Sequence, residues 1–172
     1  MLFMKKSILF SAILLVLITI GSACAQKPSP PATASATLQN GTLITINYSS
    51  PALKGRTIGK DVEPMQGKVW RAGANDATVF EITKDAMVNG KALPAGKYGF
   101  FAINNGNDWT LIFNKTWKQW GAFSYKEADD ALRVNVSSST TNTSMERLTY
   151  AISSKGNVSL NWGTLQIDFT VK

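Results

Sequence analysis

Leu165-Gln166-Ile167-Asp168-Phe169-Thr170-Val171 puts Leu165, Ile167, Phe169 and Val171 on one face of an extended chain and the polar residues on the other. An antiparallel strand with one buried and one wet face has this pattern. Period-two alternation recurs in Leu132-Arg133-Val134-Asn135-Val136, Leu148-Thr149-Tyr150-Ala151-Ile152 and Val158-Ser159-Leu160-Asn161-Trp162. Four more stretches are rich in β-branched and aromatic residues and read as strands: 42–48, 79–82, 98–103 and 109–113. Asn40-Gly41 and Asn89-Gly90 are tight-turn pairs. The first joins a short partner strand at 36–38 to 42–48, and the second joins Ala86-Met87-Val88 to Lys91-Ala92-Leu93. Gly163 reads as a turn between the last two strands, and residues 126–131 alone look helical. The expected fold class is all-β: an antiparallel two-sheet β-sandwich, jelly-roll or immunoglobulin-like, with one long irregular loop.

The chain has 172 residues, 44% hydrophobic and 17% charged, which suits one globular domain. It contains no histidine, and its one cysteine is Cys24. Those two counts exclude Ser-His-Asp and Cys-His catalysis, histidine-ligated zinc or haem, and a disulfide framework. No cofactor and no metal site is expected. Glu127, Asp129 and Asp130 lack the spaced oxygen ligands of a calcium loop and read as a solvated turn.

Lys5 and Lys6 precede an uncharged, mostly apolar run over 7–20, and Gly21-Ser22-Ala23-Cys24-Ala25 supplies the small residues a signal peptidase needs. Residues 1–25 are therefore expected to be a signal peptide, with a soluble chain starting at Gln26 in the periplasm or beyond. Lipidation of Cys24 is the alternative, although Gly21 stands where such signals usually carry a branched aliphatic residue. The run is shorter than the ~20 residues of a membrane span, so no transmembrane span is expected in the mature chain. Residues 26–35 are rich in proline, serine and alanine and read as an exposed tether before a single domain over 36–172. Loss of Lys5 and Lys6 takes the net charge from +7 to +5. The remaining basic residues are scattered, without the clustering of a nucleic-acid footprint.

Residues 49–75 break the strand pattern with Pro51, Gly55, Gly59, Pro64, Gly67 and Gly73. An irregular segment of this length in a compact domain is usually functional or ordered by its own side chains. It ends in Trp70-Arg71-Ala72-Gly73-Ala74-Asn75-Asp76. There Arg71 suits a bidentate grip on a carboxylate or phosphate, Asn75 and Asp76 suit sugar hydroxyls, and Gly73 would let a ligand approach the backbone. The structural alternative has Arg71 pairing with Asp76 or a loop carbonyl to pin the loop, with Trp70 in the core. Arg56, with Lys54 and Lys60, would widen an anion site around Arg71, or else belongs to a solvated turn. Trp117, Trp120, Phe123 and Tyr125 form either a stacking platform or a buried cap on one end of the domain, with Trp117 expected to be the exposed member.

The segments Ser50-Pro51-Ala52-Leu53-Lys54-Gly55-Arg56, Gly67-Lys68-Val69-Trp70-Arg71-Ala72-Gly73-Ala74-Asn75-Asp76-Ala77-Thr78, Leu93-Pro94-Ala95-Gly96-Lys97-Tyr98 and Gln119-Trp120-Gly121-Ala122 occur in this order. With them the chain resembles domain of unknown function 2911, a family of secreted bacterial proteins, over residues 38–172. The resemblance implies export and brings no activity, substrate or catalytic residue.

The expected function is a non-catalytic envelope module that binds a glycan, a small anionic ligand or an envelope protein through Arg56, Arg71, Asn75, Asp76 and Trp120. Two alternatives stand beside it. One is a structural or assembly partner of another envelope protein. The other is a carboxylate-dependent hydrolase, which would need two carboxyls facing each other across a cleft.

Overall fold

A computed structural model describes residues 29–172. The expected leader, Cys24, and residues 26–28 of the expected tether lie outside the described residues. Ten strands follow in order: β1 (Pro31–Thr37), β2 (Leu43–Ser49), β3 (Val69–Trp70), β4 (Thr78–Ile82), β5 (Ala86–Val88), β6 (Lys91–Leu93), β7 (Gly96–Asn105), β8 (Asp108–Asn114), β9 (Asp130–Ile152) and β10 (Asn157–Thr170). The expected helical stretch is a single 3-10 turn, Glu127–Asp129.

The architecture is all-β and antiparallel. Its main hydrogen-bond ladder is one sheet in the order β1-β2-β4-β7-β8-β9-β10, with β3 paired to the far half of β7. β5 and β6 form a separate hairpin, tied to the chain end by a Val88–Val171 bridge. The large sheet curls over itself. Phe169 of β10 lies 5.7 Å from Phe100 of β7 and 6.2 Å from Phe80 of β4, although β10 and β4 are far apart along the ladder. Tyr150 of β9 meets Tyr48 of β2 edge-on at 4.8 Å. The core sits between the two halves of the curl, and β9 is the corner strand, pairing with β8 through its first part and with β10 through its remainder.

Three boundaries differ from the sequence reading. β1 begins at Pro31, five residues inside the expected tether, because small alternating residues suffice for an edge strand that pairs only with β2. β9 is continuous through 137–147, where polar residues meet solvent on both faces and leave no alternation to read. Gly163 is no turn: β10 runs through it, with register shifts on either side that bend the strand. Gly163 has φ +60°, and a Cβ there would press on Ile58 and Leu53 at 3.3 Å each. Thus the glycine also admits the long loop.

The sheet buries a second, smaller cluster on its outer face. Phe101 and Ile112 face each other across β7 and β8 and pack with Ala77, under cover of Ala122 and Tyr125. The lid on this cluster is the connection from β8 to the 3-10 turn, residues 115–126.

Candidate functional site

The irregular segment after β2 is ordered and stitched to the sheet. Ser50 Oγ donates to the Leu148 carbonyl at 2.7 Å, the Leu53 N–H to the Glu146 carbonyl at 2.9 Å, and the Gly67 N–H to the Asn104 carbonyl at 2.8 Å. Arg56 donates from Nε to the Leu53 carbonyl at 2.9 Å and from Nη2 to the Ala52 carbonyl at 2.7 Å. These bonds tighten the bend while the residue stays exposed.

This bend forms one wall of a cleft of about 490 Å³, within the ~300–1,000 Å³ range of small-molecule sites. Leu53, Ile58, Leu165 and Trp109 supply its apolar part. Arg56, Asn104 and the hydroxyls of β9 and β10, among them Ser138, Thr140 and Thr164, supply the polar part. The opposite wall is a bulge: Leu165 pairs with Thr140 but Gly163 pairs with Met145, so residues 141–144 arch outward from β9. Among the described residues no carboxylate lines this cleft. The Trp109 indole N–H is buried and has no acceptor among the described residues.

Arg71, Asn75, Asp76 and Trp120 gather at a different place, the outer edge beside the 115–126 connection. Asp76 and Trp120 form an antiparallel bridge, the Ala77 N–H donates to the Gln119 carbonyl at 3.0 Å, and the Gly121 N–H donates to the Asn75 carbonyl at 3.0 Å. Asn75 sits at φ +59° and donates from Nδ2 to the Ser29 carbonyl at 3.1 Å. Arg71 pairs neither with Asp76 nor with a loop carbonyl; its Nε is buried with no partner among the described residues. A Cβ built at Gly121 would lie 3.6 Å from Arg71 Nη1, so the guanidinium runs under the 115–126 connection. Of the five predicted site residues, Arg56 alone lines the large cleft, and the other four share this edge.

The local fold there rests on different residues. Trp70 Nε1 donates to the Gly73 carbonyl at 3.0 Å, and Thr78 Oγ1 and Tyr150 Oη donate to the Ala72 carbonyl at 3.0 and 2.7 Å. Gly73 does not open the backbone to a ligand. A Cβ there would meet Thr78 Oγ1 at 2.8 Å and the Ser49 carbonyl at 3.2 Å, so the glycine serves close packing. Burial raises the Tyr150 phenol well above its ordinary pKa.

The aromatic segment departs from the expectation in one respect. Tyr125 is half-buried, but Phe123 is 85% exposed, Trp120 61% and Trp117 only 38%, so Trp117 is the least exposed of the three. Lys97 Nζ stands 5.6 Å from the Trp117 ring centre.

Glu127–Asp129 is the solvated turn read from the sequence, with no buried residue, but Asp130 departs from it, its side chain only 9% exposed. Asp130 accepts from Arg133 Nε at 2.6 Å, from Tyr125 Oη at 2.7 Å and from Asn114 Nδ2 at 2.7 Å, while Arg133 Nη1 reaches Glu127 at 3.2 Å. Burial, reinforced by the bond to Asp130, pushes the Tyr125 phenol up to about 12. A carboxylate answered by a basic residue three positions on is an ordinary surface pattern, and no sequence signal separates the two cases.

A family model described as "Protein of unknown function (DUF2911)" matches residues 29–171, and the chain belongs to that family. No curated protein and no solved structure matches it. Among the described residues no helix is long and apolar enough to cross a membrane.

Proposed function

We propose that this protein is an exported, non-catalytic binding module whose ligand lies in the cleft between the Arg56 bend and the bulged wall of β9 and β10. The curled sheet acts as the rigid two-layer support of a β-sandwich, of jelly-roll or immunoglobulin-like type. On this reading the chain leaves the cell behind its leader and works in the periplasm or outside. It starts at Gln26, or is held by a lipid on Cys24.

The observation that carries the reading is the lining of the cleft: one guanidinium, one amide and a row of hydroxyls facing an apolar side of Leu53, Ile58 and Leu165. Polyhydroxylated ligands use this combination, with ring faces on apolar surface and hydroxyls on short polar side chains. A glycan or a small anionic carbohydrate is the ligand class. Arg71, Asn75, Asp76 and Trp120 form a second contact edge outside the cleft.

Titration of the chain from Gln26 onward with chitooligosaccharides and with soluble peptidoglycan digests, followed by amide NMR shifts, tests this. The shifts should centre on Asn104, Thr140 and Thr164, and Arg56→Ala should weaken them by about tenfold. Unmoved cleft amides with both ligand sets would overturn the reading. Arg71→Ala and Trp120→Ala should leave melting nearly unchanged; if both unfold the domain, that edge is structural.

A further inference from the structure

We infer that residues 115–126, mounted over Arg71, are a docking surface for an anionic phospholipid membrane. The inference goes beyond the glycan cleft and does not depend on it.

The segment reads Lys115-Thr116-Trp117-Lys118-Gln119-Trp120-Gly121-Ala122-Phe123-Ser124-Tyr125-Lys126, with three lysines and no acid. All three lysines are exposed, as are Trp117, Trp120 and Phe123. Lysines beside exposed tryptophan and phenylalanine make up the composition of segments that lie in the membrane interface. There the rings sink to headgroup depth, and each ammonium near the surface is worth about fivefold in partition.

The rings are held out by a built mount. Asn114 is fully buried; it donates to the Lys126 carbonyl at 2.9 Å and to Asp130 at 2.7 Å, which closes the segment at its base. Ala122 and Tyr125 face inward onto Phe101 and Ile112, so Trp120 and Phe123 are left facing solvent. A flexible loop would fold such rings onto the nearest apolar surface, whereas this one presents them.

Two further observations select a phosphate-bearing surface over a sugar. Arg71 runs beneath Gly121, with Nη1 3.6 Å from a Cβ built there, and adds a guanidinium charge under the segment that favours an anionic phosphate surface. The charged groups among and beside the rings are all ammoniums, standing with Thr116, Gln119 and Ser124, and an ammonium can donate to a headgroup phosphate. The chain entry agrees with this orientation. Asn75, whose carbonyl receives the Gly121 N–H, also holds the Ser29 carbonyl. Cys24 precedes Ser29 by five residues, a reach of under ~20 Å, so a membrane-bound leader or lipid would bring the bilayer to this edge.

Co-sedimentation of the chain from Gln26 onward with vesicles of phosphatidylglycerol and phosphatidylethanolamine, against phosphatidylcholine alone, tests the proposal. The chain should pellet with the anionic vesicles and not with phosphatidylcholine, and brominated acyl chains should quench its tryptophan fluorescence. Trp120→Ser with Phe123→Ser should lower partition by at least about tenfold. Lys118→Glu should lower it about fivefold or more. Near-UV circular dichroism confirms that each variant is folded. The proposal is overturned if anionic vesicles fail to pellet the chain, or if the folded double variant pellets as well as the parent. Retention on chitin that is lost in the double variant, with vesicles ignored, would overturn it in favour of a sugar-stacking platform.

Discussion

Asn114 Nδ2 donates to Asp130 Oδ1 at 2.7 Å, joining the end of β8 to the start of β9 across the whole 115–126 connection. Both sheet faces depend on this bond. On one side Phe113 enters the main core; on the other Tyr125 covers the outer cluster, and its hydroxyl donates to the same carboxylate. Asp130 is thus the point from which the exposed rings are positioned.

Removing that carboxylate should loosen the connection before it unfolds the domain. Asp130→Ala leaves Asn114, Tyr125 and Arg133 donors without their acceptor and is expected to cost about 3 kcal/mol. Chemical denaturation checks the cost. Amide exchange over 115–126 should rise more than exchange in β4 or β7.

Alkaline pH should act on the same network. A phenol raised to about 12 in the folded chain, against an ordinary value near 10, keeps its proton longer when folded than when unfolded. The folded state then binds more protons between those values, so stability is intact below pH ~10 and falls as pH rises toward ~12. Tyr125→Phe should flatten that decline in melting temperature. A residual slope is expected from Tyr150, which burial also raises.

Gly156 and Gly90 separate two reasons for a glycine. Both sit at positive φ, +82° and +79°. A Cβ at Gly156 would overlap the Val171 carbonyl oxygen, while one at Gly90 meets nothing within 4 Å. Gly90→Ala should cost about 1 kcal/mol from backbone strain alone. Gly156→Ala should cost about 3 kcal/mol or more, since the last strand must shift away from the β9–β10 turn. Urea midpoints of the two variants measure the difference.

Phe100 and Phe123 provide the corresponding test for burial. Phe100 is fully buried, with ring centres of Phe113 at 5.1 Å and Phe169 at 5.7 Å. Phe100→Ala should cost about 3–5 kcal/mol, because it removes contacts between the two halves of the curl. Phe123→Ala should change stability by less than about 0.5 kcal/mol. A large loss at Phe123 would mean that its ring is structural.

Much of the fold was legible because strand faces are written in period two. Ile44, Ile46, Phe80 and Ile82 lie inward as their alternation requires, and both Asn-Gly pairs sit at hairpin ends. The first half of β1 is hidden in the sequence because its inward residues, Ala32, Ala34 and Ala36, are too small to register as a buried face. The site was less legible. Arg56 stood out as a basic loop residue, but the hydroxyl wall opposite it belongs to a polar stretch with no periodicity. The edge residues 71–76 and 119–121 are each distinctive in composition, but their pairing joins chain segments more than 40 residues apart.

The amino-acid order by itself determined an all-β chain, which face of most strands turns inward, and the absence of histidine and thiol chemistry from the body. These follow from alternation, turn chemistry and residue counts, all local properties. Only the tertiary structure decided that the ladder is one curled sheet. Tertiary packing likewise buried Trp70, Trp109 and Trp162 while leaving Trp120 and Phe123 in solvent. Burial of a ring depends on what distant chain is laid over it, and no local pattern records that contact.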